Sequence, residues 1–260
     1  MKFNTRKKYT VIVIVLFAAI AAVLYVRAQY VVPVIMYHNI DENSVASRLS
    51  VSPESFKRQM NFLKSHKYNV VKLEDLAEML KGGKLPSKTI AITFDDGYEN
   101  NYTSAYPVLK KLGLQATIFI IPAMIGTDGY LTWGQVMEMS ESGFIGIGSH
   151  TMTHPWLPGQ PKENLDSEIR GSKSAIESHL NKEASSFSYP LGGFNKDVRE
   201  KVIEAGYKIA VATNPGKKYP RHDLFAMKRL RISNTSDNLF VFWFEITGFY
   251  TWIKEHRDKD

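Results

Sequence analysis

Short apolar, β-branched runs recur along this chain, and nearly every one is followed by a stretch with helical periodicity. The runs at 30–37, 69–71, 89–94, 116–121, 144–149, 187–189, 207–212 and 228–232 read as buried strands. Helices are expected between them. One starts at Pro53 with Ser52 as N-cap and buries Phe56, Met60 and Leu63. Others fall at 73–80, closed by Gly82-Gly83, at 103–112, ended by Gly113, and at 135–140, 164–180 and 196–205. A last, aromatic-rich helix at 238–253 carries Phe240, Phe242, Trp243 and Phe244; membrane contact is one reading, but the stretch is short and interrupted by Glu245, so it reads as the helix that closes the barrel. About eight strands alternating with helices define an α/β chain. The expected architecture is a single distorted (β/α) barrel, irregular because several strands are short. A length of 260 residues is ordinary for one such barrel. No internal repeat or low-complexity linker interrupts the pattern, so 30–260 reads as one domain behind an N-terminal segment, 1–29.

That segment sets the expected location. Lys2, Arg6, Lys7 and Lys8 precede an uninterrupted apolar run at 11–26, which Arg27 closes. The run is longer than a typical signal-peptide core and just short of a full span, which favours an uncleaved transmembrane signal anchor over a cleaved peptide with a weak site at Val26-Arg27-Ala28. The positive-inside rule puts everything after Ala28 outside the cytoplasm, on a single-pass membrane protein or, if cleaved, a secreted one. Of the net charge of +7, four come from this arm, which has no acidic residue, so the remaining chain carries +3. Such a mildly basic surface, without a basic-aromatic constellation, gives no reason to expect nucleic acid. The absence of cysteine excludes disulfides, thiolate ligands and a Cys nucleophile.

Two segments carry the chemistry. Thr93-Phe94-Asp95-Asp96-Gly97 puts two adjacent carboxylates after one strand, and Ser149-His150-Thr151-Met152-Thr153-His154 puts two imidazoles after another. Two His and one carboxylate suffice to hold a divalent cation on one face and leave the other open. The second carboxylate is then free to act as a base on water. Each motif alone has a plainer reading: Asp-Gly is a common turn dipeptide, and two His one helical turn apart are often surface residues. Their pairing, each at the carboxyl end of a buried strand where α/β proteins keep active sites, makes coincidence a poor account.

Together these motifs resemble the polysaccharide deacetylase family, also called NodB-homology or carbohydrate esterase family 4 enzymes, over nearly all of the chain after Val31. The resemblance implies a distorted (β/α) barrel that removes acetyl groups from polysaccharides with a divalent metal, zinc in the first place and cobalt or another transition metal as alternatives. Carried over residue by residue, Asp95 is the general base and Asp96, His150 and His154 are the metal ligands. Phe187-Ser188-Tyr189-Pro190-Leu191-Gly192 matches the segment that supplies an oxyanion N–H, here from Leu191, with Tyr189 and Pro190 beside the substrate. Leu131-Thr132-Trp133-Gly134-Gln135 resembles a groove-lining segment; Trp133 there and Trp156 after His154-Pro155 are candidate sugar contacts, with core packing as the alternative for each. His66, His179, His222 and His256 read as surface residues.

Two departures stand out. Many members place an Arg in the 187–192 segment to pair with the base, where this chain has Ser188 or Tyr189, so what orients Asp95 is not identified. Members also carry a Leu-x-His near the C-terminus, and Met227-Lys228-Arg229-Leu230-Arg231-Ile232 has no His. The imidazole has a candidate at the other end: Ile35-Met36-Tyr37-His38 resembles the permuted branch acting on poly-N-acetylglucosamine, and the first and last strands of a barrel are neighbours. His38 is therefore the expected general acid, with a His capping a core strand as the alternative. The resulting expectation is a monomeric N-deacetylase acting on a β-linked N-acetylglucosamine polymer, either exopolysaccharide or peptidoglycan. Two readings compete: a polysaccharide-binding protein with impaired catalysis, favoured by the missing Arg, and a non-haem iron protein, disfavoured by the second carboxylate.

Overall fold

The computed structural model describes residues 5–42, 49–213, 218–220 and 222–257. It contains the strands β1 (Val34–Tyr37), β2 (Asn39–Ile40), β3 (Ser50–Val51), β4 (Asn69–Val71), β5 (Thr89–Phe94), β6 (Ala116–Ile120), β7 (Ile145–Ser149), β8 (Ser186–Ser188), β9 (Ile209–Ala212), β10 (Met227–Lys228) and β11 (Leu230–Arg231). The helices are α1 (Thr5–Ala28), α2 (Pro53–Ser65), α3 (Leu73–Lys81), α4 (Tyr106–Leu112), α5 (Trp133–Glu141), α6 (Lys162–Asp166), α7 (Ser172–Leu180), α8 (Lys196–Glu204), α9 (Leu239–Glu245) and α10 (Tyr250–Arg257).

All pairings in the main sheet are parallel, in the order β10-β9-β8-β7-β6-β5-β1-β11, with β4 beside the start of β5. β10 and β11 are one strand broken at Arg229. Its first half pairs with β9 and its second with β1, which nearly closes the barrel, eight strands with β10 and β11 counted separately. The expected strand at 228–232 is thus split, and the split turns out to serve the site.

The interior is filled by a helix as well as by strands. Leu73, Leu76 and Ala77 of α3 are fully buried and cluster with Val34, Ala91, Phe119, Val211 and Met227. α3 packs on both β5 and β9, which are not sheet neighbours, so it lies across the barrel. The outer helices close a second layer, in which Phe56, Met60 and Leu63 of α2 form the stripe their spacing predicts. Ser52 caps that helix by accepting the Ser55 N–H at 3.2 Å.

Three other expectations are modified. The helix expected at 164–180 is α6 and α7 joined through a widened π-type turn at Ser167–Gly171. The single last helix is two, broken at Gly248 (φ +81°), where a Cβ would lie 2.3 Å from the Tyr30 ring. The polar loop after Asp41 is bracketed by the short pair β2–β3, and 43–48 lie outside the described residues. Outside the barrel stands α1, whose residues 9–28 are long and apolar enough to cross a membrane and are not buried against the rest of the chain.

Candidate active site

Because the strands are parallel, every strand-to-helix loop opens on the same end of the barrel, and both motifs emerge there. Asp95 follows β5, with its N–H donated to the Tyr37 carbonyl of β1 at 3.0 Å. Asp96 and Gly97 then turn through two successive left-handed conformations (φ +72° and +74°). His150 follows β7, its N–H bonded to the Ile120 carbonyl at 2.9 Å. Thr151 is also left-handed (φ +66°), which is costly for a β-branched residue. Its Oγ1 accepts the His154 N–H at 2.9 Å, so this turn aims the second imidazole. Four of the seven non-glycine left-handed residues among those described, Asp96, Thr151, His154 and Leu191, stand around this mouth. Strain of about 1–3 kcal/mol per residue persists where the surroundings over-determine it.

The ligand atoms of Asp96, His150 and His154 all lie within 4.8 Å of one another. Asp96 Oδ1 is 3.6 Å from His150 Nε2 and 3.7 Å from His154 Nε2. Tetrahedral ligands about 2.1 Å from one ion stand about 3.4 Å apart, so these atoms need little adjustment to share a cation. The tautomer supports the fit. His150 Nδ1 donates to the Ser188 carbonyl at 2.8 Å, which leaves the Nε2 lone pair facing Asp96. Burial pushes the His150 pKa down to about 4, favouring the neutral imidazole a metal requires. Burial and then the neighbouring Asp95 charge raise the Asp96 pKa, a penalty that a cation between the ligands would remove.

Asp95 has a different environment. Burial works against its charge, but Arg229 holds it in a two-pronged pair, Nη1 to Oδ1 at 2.6 Å and Nη2 to Oδ2 at 2.7 Å. That guanidinium, followed by His150, keeps the carboxyl well below the usual carboxylate range. Arg229 is itself fully buried, projecting inward from the break between β10 and β11, and also donates to Ser188 Oγ at 2.9 Å and Thr93 Oγ1 at 3.3 Å. The orienting group that motif comparison fails to find is therefore Arg229, from the last strand. The small Ser188 side chain takes part in its cradle and leaves room for it. The signal in the sequence is a lone Arg inside an apolar strand, in a chain whose acidic motif lacks its usual cation.

The cavity at the mouth is lined by Asp95, Asp96, His150, His154, His38, Leu191 and, around them, Met36, Leu49, Thr213 and Arg231. His38 follows β1, its carbonyl held by Asn101 Nδ2 at 2.8 Å. Its Nδ1 is buried without a hydrogen-bond partner. Burial lowers the His38 pKa, Asp95 and Asp96 push it back up, and Arg229 and Arg231 lower it again, for a net downward shift. Leu191 is 71 % exposed on a left-handed turn (φ 56°, ψ 12°) at the cavity wall.

The aromatic candidates divide. Tyr189 is a correction: its side chain is fully buried, stacked on Phe194 with centroids 4.3 Å apart, and its hydroxyl donates to the Phe225 carbonyl at 3.0 Å. Pro190 is buried and does not line the cavity. Trp133 stacks flat on His179 with centroids 3.7 Å apart and packs against the core, so it is not a cavity residue either. Trp156 is 51 % exposed and lies over Gly193, where a Cβ would fall 2.1 Å from its ring; it stands beside the Leu191 turn. His66, His179 and His222 are exposed as expected, and the His256 side chain lies outside the described residues.

A parallel barrel whose mouth gathers an Asp-His-His cluster beside an Arg-locked aspartate defines a class of hydrolase, and comparison with known proteins gives the same class. The family described as polysaccharide deacetylase matches residues 82–210. YxkH of Bacillus subtilis, a protein named for that family, is 37 % identical over 202 residues, covering 77 % of this chain and 71 % of that one. The poly-beta-1,6-N-acetyl-D-glucosamine N-deacetylase of Staphylococcus epidermidis is 29 % identical over 198 residues, covering 71 % of this chain and 68 % of its own. Among solved structures, the Streptococcus pyogenes deacetylase PplD in complex with acetate superposes with a TM-score of 0.74 at 28 % identity, over 81 % of this chain and 97 % of that one. The chain belongs to the polysaccharide deacetylase family.

Proposed function

We propose that the protein removes N-acetyl groups from a β-linked N-acetylglucosamine polymer outside the cytoplasm, using a divalent cation held by Asp96, His150 and His154, zinc in the first place. The observation that carries this reading is the pairing of the two sites: three ligand atoms facing one another, with a separately locked carboxylate, Asp95, at the same mouth. When bound, the cation supplies Lewis acidity, lowering the pKa of water and polarising the acetamide carbonyl. The chain's own residues do the rest. Asp95 stays ionised because Arg229 pins both its oxygens, and it accepts the proton of the attacking water. The Leu191 N–H donates to the oxygen that gains charge as the carbonyl carbon becomes tetrahedral. His38 gives a proton to the sugar nitrogen as the C–N bond breaks, releasing acetate and a free amine. The place of His38 in the lining of the same cavity supports that role.

Two similarities support an acetylated hexosamine polymer: the staphylococcal relative carries poly-N-acetylglucosamine in its name, and the PplD structure holds acetate. The His38 segment favours exopolysaccharide, and a membrane tether favours peptidoglycan. The reading of a binding protein with impaired catalysis rested on a missing Arg; Arg229 takes that place, and the reading loses its support. α1 is read as an uncleaved anchor, with 30–260 as one extracytoplasmic, monomeric domain. An acetate-release assay on β-1,6- and β-1,4-linked N-acetylglucosamine oligomers and on isolated peptidoglycan, with chelator and with added Zn²⁺ or Co²⁺, tests the proposal. Metal-dependent release from one of them is expected; none from any would refute it.

A further inference from the structure

The end of the barrel opposite the mouth, and the flank along which α9 runs down to it from the Asp237–Ser55 contact, carry three features that catalysis does not use. The first is where α1 joins. The Val31 N–H donates to the Gly248 carbonyl at 2.8 Å, and Tyr30 meets Phe249 edge-on with centroids 5.7 Å apart. The tight fit of Gly248 against the Tyr30 ring fixes the exit of the apolar helix beside the end of α9. The second is the outer face of α9. Phe240, Trp243 and Phe244, at positions i, i+3 and i+4, are 70 %, 43 % and 39 % exposed, while Phe242 and Ile246 turn inward and are buried. α9 packs on α2, with Phe242 edge-on to Phe62, and Phe240 and Trp243 border a hollow with Phe62 and His66. The third is charge. The loops preceding β4, β5 and β6, with the last turns of α2 and α4, present Lys64, Lys67, Lys84, Lys88, Lys110 and Lys111, all exposed. Residues 64–68, 82–88 and 110–115 contain no acidic residue, and none of these six lysines makes an ion pair among the described residues.

An aromatic crest beside a lysine rim, at the end where a membrane-length helix enters, fits a bilayer interface better than water. Aromatic rings partition to the headgroup level, and lysines are drawn to anionic lipid. We infer that this end of the barrel, tilted toward the α9 flank, rests on the anionic outer surface of the membrane that α1 enters, with Phe240, Trp243 and Phe244 at headgroup depth, so that the catalytic mouth faces away from the membrane toward the polymer. This inference rests on the reading of α1 as an uncleaved anchor. The adjoining face is then a second contact that stops the barrel from swivelling on its tether.

The chain has no cysteine, so single labels are clean. The test is nitroxide depth measurement, by oxygen and nickel-complex accessibility, on the full chain in nanodiscs carrying one copy each, with labels at Phe240→Cys, Leu16→Cys in α1, or Lys162→Cys at the mouth end. In phosphatidylglycerol discs the label at 240 should show lipid-like accessibility and the label at 162 water-like accessibility. Phosphatidylcholine discs, high salt, or the combined Lys64→Glu, Lys67→Glu, Lys84→Glu and Lys111→Glu variant should return position 240 to water, leaving position 16 embedded and acetate release unchanged. A water-exposed label at 240 beside an embedded label at 16 overturns the inference alone; water at both overturns the anchor reading with it. Protection of 240 only in multi-copy vesicles, with dipolar coupling between labels, would assign the face to a second copy and overturn it as well.

Discussion

The two ends of this barrel solve opposite problems with the same residue classes. At the mouth, polar groups are buried and the central ones are matched: Asp95 by Arg229, His150 by the Ser188 carbonyl, and Asp96 by the two imidazoles with which it would share a cation. Positions there are enforced by left-handed turns that a chain adopts only under tertiary constraint. At the opposite end, Lys64, Lys67, Lys84, Lys88, Lys110 and Lys111 are exposed and make no ion pair among the described residues, and left-handed residues such as Lys67 and Lys88 only turn loops and hold no buried charge. Substitutions at the mouth should therefore change chemistry steeply, and those at the far end should change location while leaving chemistry alone.

The largest effect is expected from Asp95→Asn, which should lower kcat by about 10²–10⁴ and leave the stoichiometry of zinc binding in calorimetry intact. Turnover near wild type would assign the base elsewhere. Arg229→Met should come next. It leaves a buried carboxylate unpaired, a loss typically of about 3–5 kcal/mol, so the melting temperature should fall. The Asp95 pKa, now held low, should rise, and the acidic limb of kcat/KM should move to higher pH. The sign for stability follows: a depressed carboxyl pKa stabilises the fold above the unfolded value, about 3.9, and that contribution disappears as pH falls through the folded value. Arg229→Lys keeps the charge without the fork and should fall between the two.

His38→Ala should lower kcat with little change in metal affinity. A general acid must be protonated, and that fraction falls as pH rises through its pKa, so the variant should also lose the alkaline limb of the kcat profile. A retained limb would point to another acid. Gly193→Ala should act through Trp156: a Cβ 2.1 Å from that ring forces the indole off its platform, raising KM for polymer more than for a short oligomer. At the far end, Phe240→Ser should leave acetate release from soluble oligomers unchanged, and a drop there would erase the contrast between the ends.

The barrel was legible because its strands are short apolar runs separated by capped helices, a pattern set by burial alone. Ser52 as an N-cap and the α2 stripe appear where local rules put them. Asp96, His150 and His154 were legible because each follows a strand, and parallel strands bring all three to one rim. Arg229 was not. Its partner lies 134 residues away, and no local rule says that the last strand breaks there to pair with β9 before the break and β1 after it. Tyr189 and Trp133 misled for the complementary reason: an aromatic beside a functional segment reads the same whether it faces the cavity or the core. The break at Gly248 depends on Tyr30, more than 200 positions earlier, and is equally invisible to helical periodicity.

The central claim, that Asp96, His150 and His154 hold a cation on which Asp95-assisted deacetylation depends, is tested most directly by one titration. Full-length protein stripped by chelator is titrated with Zn²⁺ while acetate release from an N-acetylglucosamine oligomer is followed, for the wild type, His150→Ala and Asp95→Asn. The account predicts one zinc bound and activity restored in proportion for the wild type, zinc bound without activity for Asp95→Asn, and neither for His150→Ala. Full acetate release from the stripped wild type, or stoichiometric zinc binding by His150→Ala, would contradict it.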